Sequence, residues 1–118
     1  MKSGQFLLLA LTALVFSLLA SGCKKCKNED PRARITNNGT QKASVQVKTS
    51  GGNTININNV DPGTSSAYAS YAPGEVTFTI VVSNASYVKT TTISQCYEYD
   101  IAIDQANVIT VSGEDRND

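Results

Sequence analysis

From Phe6 to Ala20 the chain is apolar at nearly every position, broken only by Thr12 and Ser17, and Lys2 places one positive charge ahead of the run. At about 15 residues the run is shorter than the roughly 20 that cross a bilayer as a helix. A positive start, an apolar centre and the small residues Ala20, Ser21 and Gly22 before Cys23 follow the order of parts in a secretory signal. The pattern therefore predicts a signal helix over residues 1–22, removed on export, in preference to a lasting transmembrane helix.

Beyond Pro31 the pattern changes to period two. Ala43, Val45 and Val47 alternate with Ser44, Gln46 and Lys48, as in a strand with one buried face. Ser50-Gly51-Gly52-Asn53 turns the chain into Thr54 to Asn58, where Ile55 and Ile57 share a face, so the two segments read as a hairpin. Asp61-Pro62-Gly63 and Ala72-Pro73-Gly74 are further turn signals that bracket Ser65 to Tyr71. In Glu75 to Val82 the residues Val76, Phe78, Ile80 and Val82 fall on one side, and Thr77, Thr79 and Val81 on the other. Ser83-Asn84-Ala85 connects this strand to one over Tyr87 to Ser94. Tyr97 to Ile103 alternates again, a last short strand covers Val108 to Ser112, and Glu114 to Asp118 reads as a frayed polar tail.

About seven or eight short strands with turns between them, and no helical period after the leader, predict an all-β domain. The expected arrangement is two packed antiparallel sheets, an immunoglobulin-like or transthyretin-like sandwich; a small barrel is the alternative. The domain spans residues 32–118, and residues 23–31, rich in charge with Asn and Pro, form a tether. With 118 residues in the whole chain and the leader discounted, only one core can be built.

Charge sharpens this division. The formal net charge is zero, yet Lys24, Lys25, Lys27, Arg32 and Arg34 crowd the segment after Cys23, whereas acidic residues outnumber basic ones from Ile35 onward. A mildly acidic domain on a basic stem argues against nucleic acid as a partner. The tether lysines could rest on anionic headgroups or simply be solvated.

Leu19-Ala20-Ser21-Gly22-Cys23 resembles the lipobox of bacterial lipoproteins, with Ala20 where Leu is more usual. The resemblance implies cleavage before Cys23, lipidation of its thiol and attachment to the membrane through fatty acyl chains. One chain would hold a protein only marginally, and two or three make attachment lasting. By the same resemblance, Lys24 in place of an Asp implies an outer-membrane destination, facing either the periplasm or the outside. The Pro62-Gly63-Thr64-Ser65-Ser66 stretch with Tyr68, Pro73-Gly74 and the strand after it is similar in texture to the small sandwich domains of Bacteroidetes lipoproteins, many of them without an assigned activity.

Lipid on Cys23 leaves Cys26 and Cys96 as a candidate disulfide in an oxidising compartment. The alternative is a buried Cys96 acting as a small hydrophobe, with Cys26 free or paired between chains. Cys23-Lys24-Lys25-Cys26 has a C-x-x-C spacing, but an acylated sulfur cannot ligate and the chain has no His, so no metal is expected. Period two places Glu98, Asp100 and Asp104 on one face, opposite Tyr97, Tyr99, Ile101 and Ile103. Three carboxylates in a row could serve calcium or acid–base chemistry, or could form a solvated outer face. Tyr68 and Tyr71 are candidates for a glycan or protein contact, and the alternative is core filling. With no His, and Lys89 in a strand without a matching motif, no serine has a plausible base, so neither catalysis nor a cofactor is expected. The expectation is a non-enzymatic, membrane-anchored envelope lipoprotein serving as an interaction or structural module for an envelope protein; a glycan- or calcium-binding module is the alternative.

Overall fold

The computed structural model describes residues 26–116. The expected signal helix, Cys23 and the last two residues lie outside that range. Among the described residues nine strands follow in chain order: β1 (Arg32–Asn37), β2 (Ala43–Lys48), β3 (Thr54–Val60), β4 (Thr64–Ser65), β5 (Ala69–Ser70), β6 (Gly74–Val82), β7 (Ala85–Ile93), β8 (Tyr97–Ile103) and β9 (Ile109–Asp115). They form two sheets. One runs β4-β1-β8-β9 with β5 also on β1, and the other runs β3-β2-β6-β7.

The period-two pattern carries the packing. On β6, Val76, Phe78 and Ile80 are fully buried; beside Val45 and Val47 of the neighbouring β2 they share one core with Ile35, Ile101 and Ile103 of the other sheet. Fully burying side chains of this size contributes about 1.5–3 kcal/mol each. The outward positions of these strands are mostly Thr, Ser, Gln and charged residues, with Ala102 and Val81 among them.

One pairing departs from the all-antiparallel expectation. Strand β1 lies parallel to β8, with Arg32 opposite Glu98 and Asn37 opposite Ile103. Just ahead of both strands Cys26 and Cys96 are joined by a disulfide with their Cα atoms 5.7 Å apart. Both strands leave this bridge side by side and run the same way. The bridged residues are 70 apart in sequence, a separation for which chain entropy gives about 4 kcal/mol of stabilisation.

The stem from Cys26 onward is docked rather than a loose spacer. The Cys96 amide donates to the Glu29 carbonyl at 2.9 Å and the Tyr71 amide to the Pro31 carbonyl at 3.0 Å, and both Cys26 and Pro31 are buried. Nor do Glu114 to Arg116 form a frayed tail. Strand β9 pairs with β8 as far as Asp115 opposite Tyr97, and the Arg116 amide then donates to the Cys96 carbonyl at 2.8 Å. The stem adds a further partner, Glu29, to the Arg116 side chain at 2.7 Å.

Two connections differ in detail from the turn chemistry. Ser83 and Asn84 both adopt positive φ, 50° and 67°, which makes a two-residue hairpin turn of the kind whose twist suits flanking strands. Ala85 is thereby the first residue of β7. The segment from Ser65 to Tyr71 is not one strand. Thr64–Ser65 pairs with the end of β1 and Ala69–Ser70 with its start; Ser66 still bonds to Ile35 through its amide and its hydroxyl, and Ala67 and Tyr68 loop out between the two pieces.

The strands place the connections at two poles. The bridge, the Thr49 to Asn53 turn, Pro73 and Arg116 lie at one. Residues 38–42, 61–63, 83–84 and 104–108 lie at the other.

Candidate functional site

The outward face of the β1–β8–β9 sheet holds most of the ionic chemistry. Period two sends Arg32, Arg34 and Thr36 outward from β1, while Ala33, Ile35 and Asn37 go inward. In the parallel register Arg32 stands opposite Glu98, and Arg34 opposite Asp100. The arginines therefore meet the carboxylates rung by rung. Arg32 pairs with Glu98, and Arg34 reaches Asp100 at 3.3 Å. The Thr36 hydroxyl donates to the other Asp100 oxygen at 2.6 Å. Arg116 lies 3.9 Å from Glu98 and 2.7 Å from Glu29, tying the stem into the same row.

These side chains remain partly exposed, 37% for Arg34 and 31% for Asp100. Pairs of that exposure are worth about 0–1 kcal/mol, so the row is better understood as a patterned surface than as a stability device. Arg32 Nε, Arg34 Nε and one Arg116 Nη are buried without a hydrogen-bond partner in the protein.

Tyr68 completes the face. The loop between β4 and β5 lifts its ring over the arginines, with the Arg32 and Arg34 guanidinium carbons 5.4 and 5.1 Å from the ring centre. Both lie within the roughly 6 Å over which a cation is drawn to an aromatic face. The ring stays 38% exposed, held yet accessible. Beside it a shallow hollow of about 310 Å³ is lined by Arg34, Tyr68, Glu98, Asp100, Ser112 and Glu114, together with Gly113.

Of the residues singled out in the sequence, the fold brings Tyr68, Glu98 and Asp100 together. Asp104 is elsewhere. It lies past the end of β8, where its Oδ1 accepts from the Ala106 and Val108 amides, both at 2.9 Å, and holds the β8–β9 turn. Tyr71 is also not on this face. It is 4% exposed within the core, and burial raises the pKa of its phenol above the ordinary value of 10.0. Cys26 and Cys96 are bridged, and Cys23 lies outside the described residues.

The three arginines were missed as partners of the acidic face. The signal for Arg32 and Arg34 was present in the alternation Arg32-Ala33-Arg34-Ile35-Thr36, but it reads as more of the basic stem when the parallel β1–β8 pairing is unknown; Arg116 stood in what read as a polar tail. Among the described residues no three His, Cys, Asp or Glu side chains converge as a metal-holding group. Glu98 and Asp100 each face a guanidinium, so a divalent cation would compete with Arg32 and Arg34 for them. In comparisons with known proteins, the chain matches no protein-family model and no curated protein.

Proposed function

We propose that this chain is a non-enzymatic envelope lipoprotein, held at the outer membrane through acyl chains on Cys23. Its two-sheet domain, of immunoglobulin-like or transthyretin-like type, serves as an interaction module for another envelope protein. The observation that carries this reading is the face built on Arg32, Arg34, Glu98 and Asp100 with Tyr68 above it. An exposed but immobilised aromatic ring beside the partly exposed Arg32 and Arg34 is the residue chemistry that anchors protein interfaces. The near balance of charges along the row suits a partner whose own surface mixes both signs.

The disulfide supports the address, since such bridges form and persist in oxidising compartments. The lipobox resemblance supports the anchor. The docked stem accords with both, because it joins the domain to a point in sequence only three residues after Cys23.

Crosslinking on intact cells, combined with protease accessibility, tests the reading. A specific crosslinked envelope protein is expected with the wild type, and Tyr68→Ala or Arg34→Ala should reduce its yield by at least about tenfold, the equivalent of losing about 1.4 kcal/mol of contact. Crosslinks insensitive to both substitutions would count against this face.

A further inference from the structure

We infer a second binding site, for a neutral saccharide, in the cleft at the pole opposite the disulfide. The cleft has a volume of about 290 Å³ and lies between the 38–42 loop, the Ser83-Asn84 turn and the 104–108 turn. Its walls include Gln41, Ser83, Tyr87, Asp104 and Asn107, above the apolar side chains of Val82 and Ile103.

The walls are prearranged. Asn37, fully buried at the base, gives both amide hydrogens to the backbone, to the Gln41 carbonyl at 2.7 Å and the Val60 carbonyl at 2.9 Å. Its oxygen accepts from the Gly39 amide at 2.9 Å, so this residue shapes the loop and has little left for a ligand. The Ser83 hydroxyl donates to the Gln41 side-chain oxygen across the cleft. The Asn107 amide donates to the Tyr87 hydroxyl at 3.2 Å, which fixes a half-buried aromatic ring in the wall. Asn107 itself has a φ of 61°, in a turn closed by Asp104.

The chemistry of the lining selects the ligand by elimination. No basic residue lines the cleft, which removes phosphate, sulfate and carboxylate ligands. The one acid, Asp104, has an oxygen committed to two backbone amides, and a single carboxylate does not make a cation site. Polar side chains dominate the walls, which disfavours a lipid or other wholly apolar ligand. Extended peptides add to sheet edges, whereas this cleft is bounded by turns.

What remains is an uncharged molecule rich in hydroxyls. Side-chain amides present a donor and an acceptor close together, a match for neighbouring sugar hydroxyls, and a ring such as Tyr87 offers an apolar surface to the C–H face of a pyranose. The Thr40 and Gln105 side chains, the Gln41 amide nitrogen and the Asn107 amide oxygen make no hydrogen bond to the protein among the described residues, so they are available to a ligand. The site does not depend on the lipid or on the Tyr68 face.

The test is a titration of the full chain, followed through its backbone amide resonances, with cellotetraose, maltotetraose and tetra-N-acetylchitotetraose. A heparin tetrasaccharide and a neutral Val/Thr decapeptide serve as comparison probes. At least one neutral tetrasaccharide should saturate below about 10 mM, shifting resonances of residues 38–42, 83–84 and 104–108. Gln105→Ala, on an exposed turn, and Asn107→Gly, which preserves the positive φ, should each weaken it at least about fivefold, about 1 kcal/mol. Tyr68→Ala should leave it unchanged. The inference is overturned if no neutral tetrasaccharide saturates, if either comparison probe binds more tightly, or if binding survives both cleft substitutions.

Discussion

Tyr99 shows how closely single residues are matched. Its ring stacks on Tyr97 with centroids 5.9 Å apart, and its hydroxyl accepts from the Ser94 amide at 2.9 Å. The neighbour on β9 is Gly113, where a β-carbon would come within 2.8 Å of the ring. The ring is held on its other side, so Gly113→Ala should lower stability by about 1–3 kcal/mol, read as a drop in melting temperature. An unchanged melting temperature would show that the ring can move aside. Tyr71 gives a pH prediction. Burial raises its folded-state pKa above the unfolded value near 10, so its neutral form is favoured in the fold. That contribution is fully present below pH 10 and is lost as pH rises from there through the folded-state pKa, where only the unfolded chain can first ionise. Urea melts between pH 8 and 11 should show stability falling more steeply in the wild type than in Tyr71→Phe. Equal slopes would remove Tyr71 from the account.

The strands show why part of the structure was legible beforehand. Segments with clean alternation, such as Val76 to Val82 and Tyr97 to Ile103, have their inward residues where period two puts them, because side-chain direction is fixed locally by the pleat. Pairing is not local. The parallel β1–β8 contact joins residues 66 apart, Arg32 and Glu98, and nothing in either segment names its neighbour. Hence the carboxylates of the candidate site could be placed on a face but their arginines could not be assigned to it. Asp104 was misplaced for a related reason, since alternation stops when β8 ends at Ile103. Edges follow the same logic. Strand β3 carries a bulge near Val45, β4 and β5 are two-residue pieces, and β9 ends in Glu114 and Asp115. Strand β7 is nine residues long and rich in Thr, with its main safeguard in Lys89. This residue stands opposite buried Phe78 and so brings a charge to the inward side of an edge, a device that discourages edge-to-edge pairing. Lys89→Val should raise self-association at least about tenfold in sedimentation experiments. Sedimentation unchanged from wild type would place the safeguard elsewhere.

At the scale of the whole molecule, the bridge between Cys26 and Cys96 organises the account. It lies where β1 and β8 begin side by side, it fastens the stem that also bonds through Glu29 and Pro31, and Arg116 bonds to both sides of it. With lipid on Cys23, the chain from anchor to bridge could extend only about 10 Å, so one pole of the domain would stay against the membrane. The Tyr68 face would then stand along its flank, and the saccharide cleft would point away. Every part of that arrangement rests on Cys23. The most direct test is the mass of the protein extracted from its membrane, together with fatty-acid labelling of the wild type and Cys23→Ser. The account predicts a chain that begins at Cys23, carries diacylglycerol and incorporates label, with Cys23→Ser unlabelled and retained as precursor. A wild-type chain with an unmodified Cys23, or labelling that survives Cys23→Ser, would contradict it.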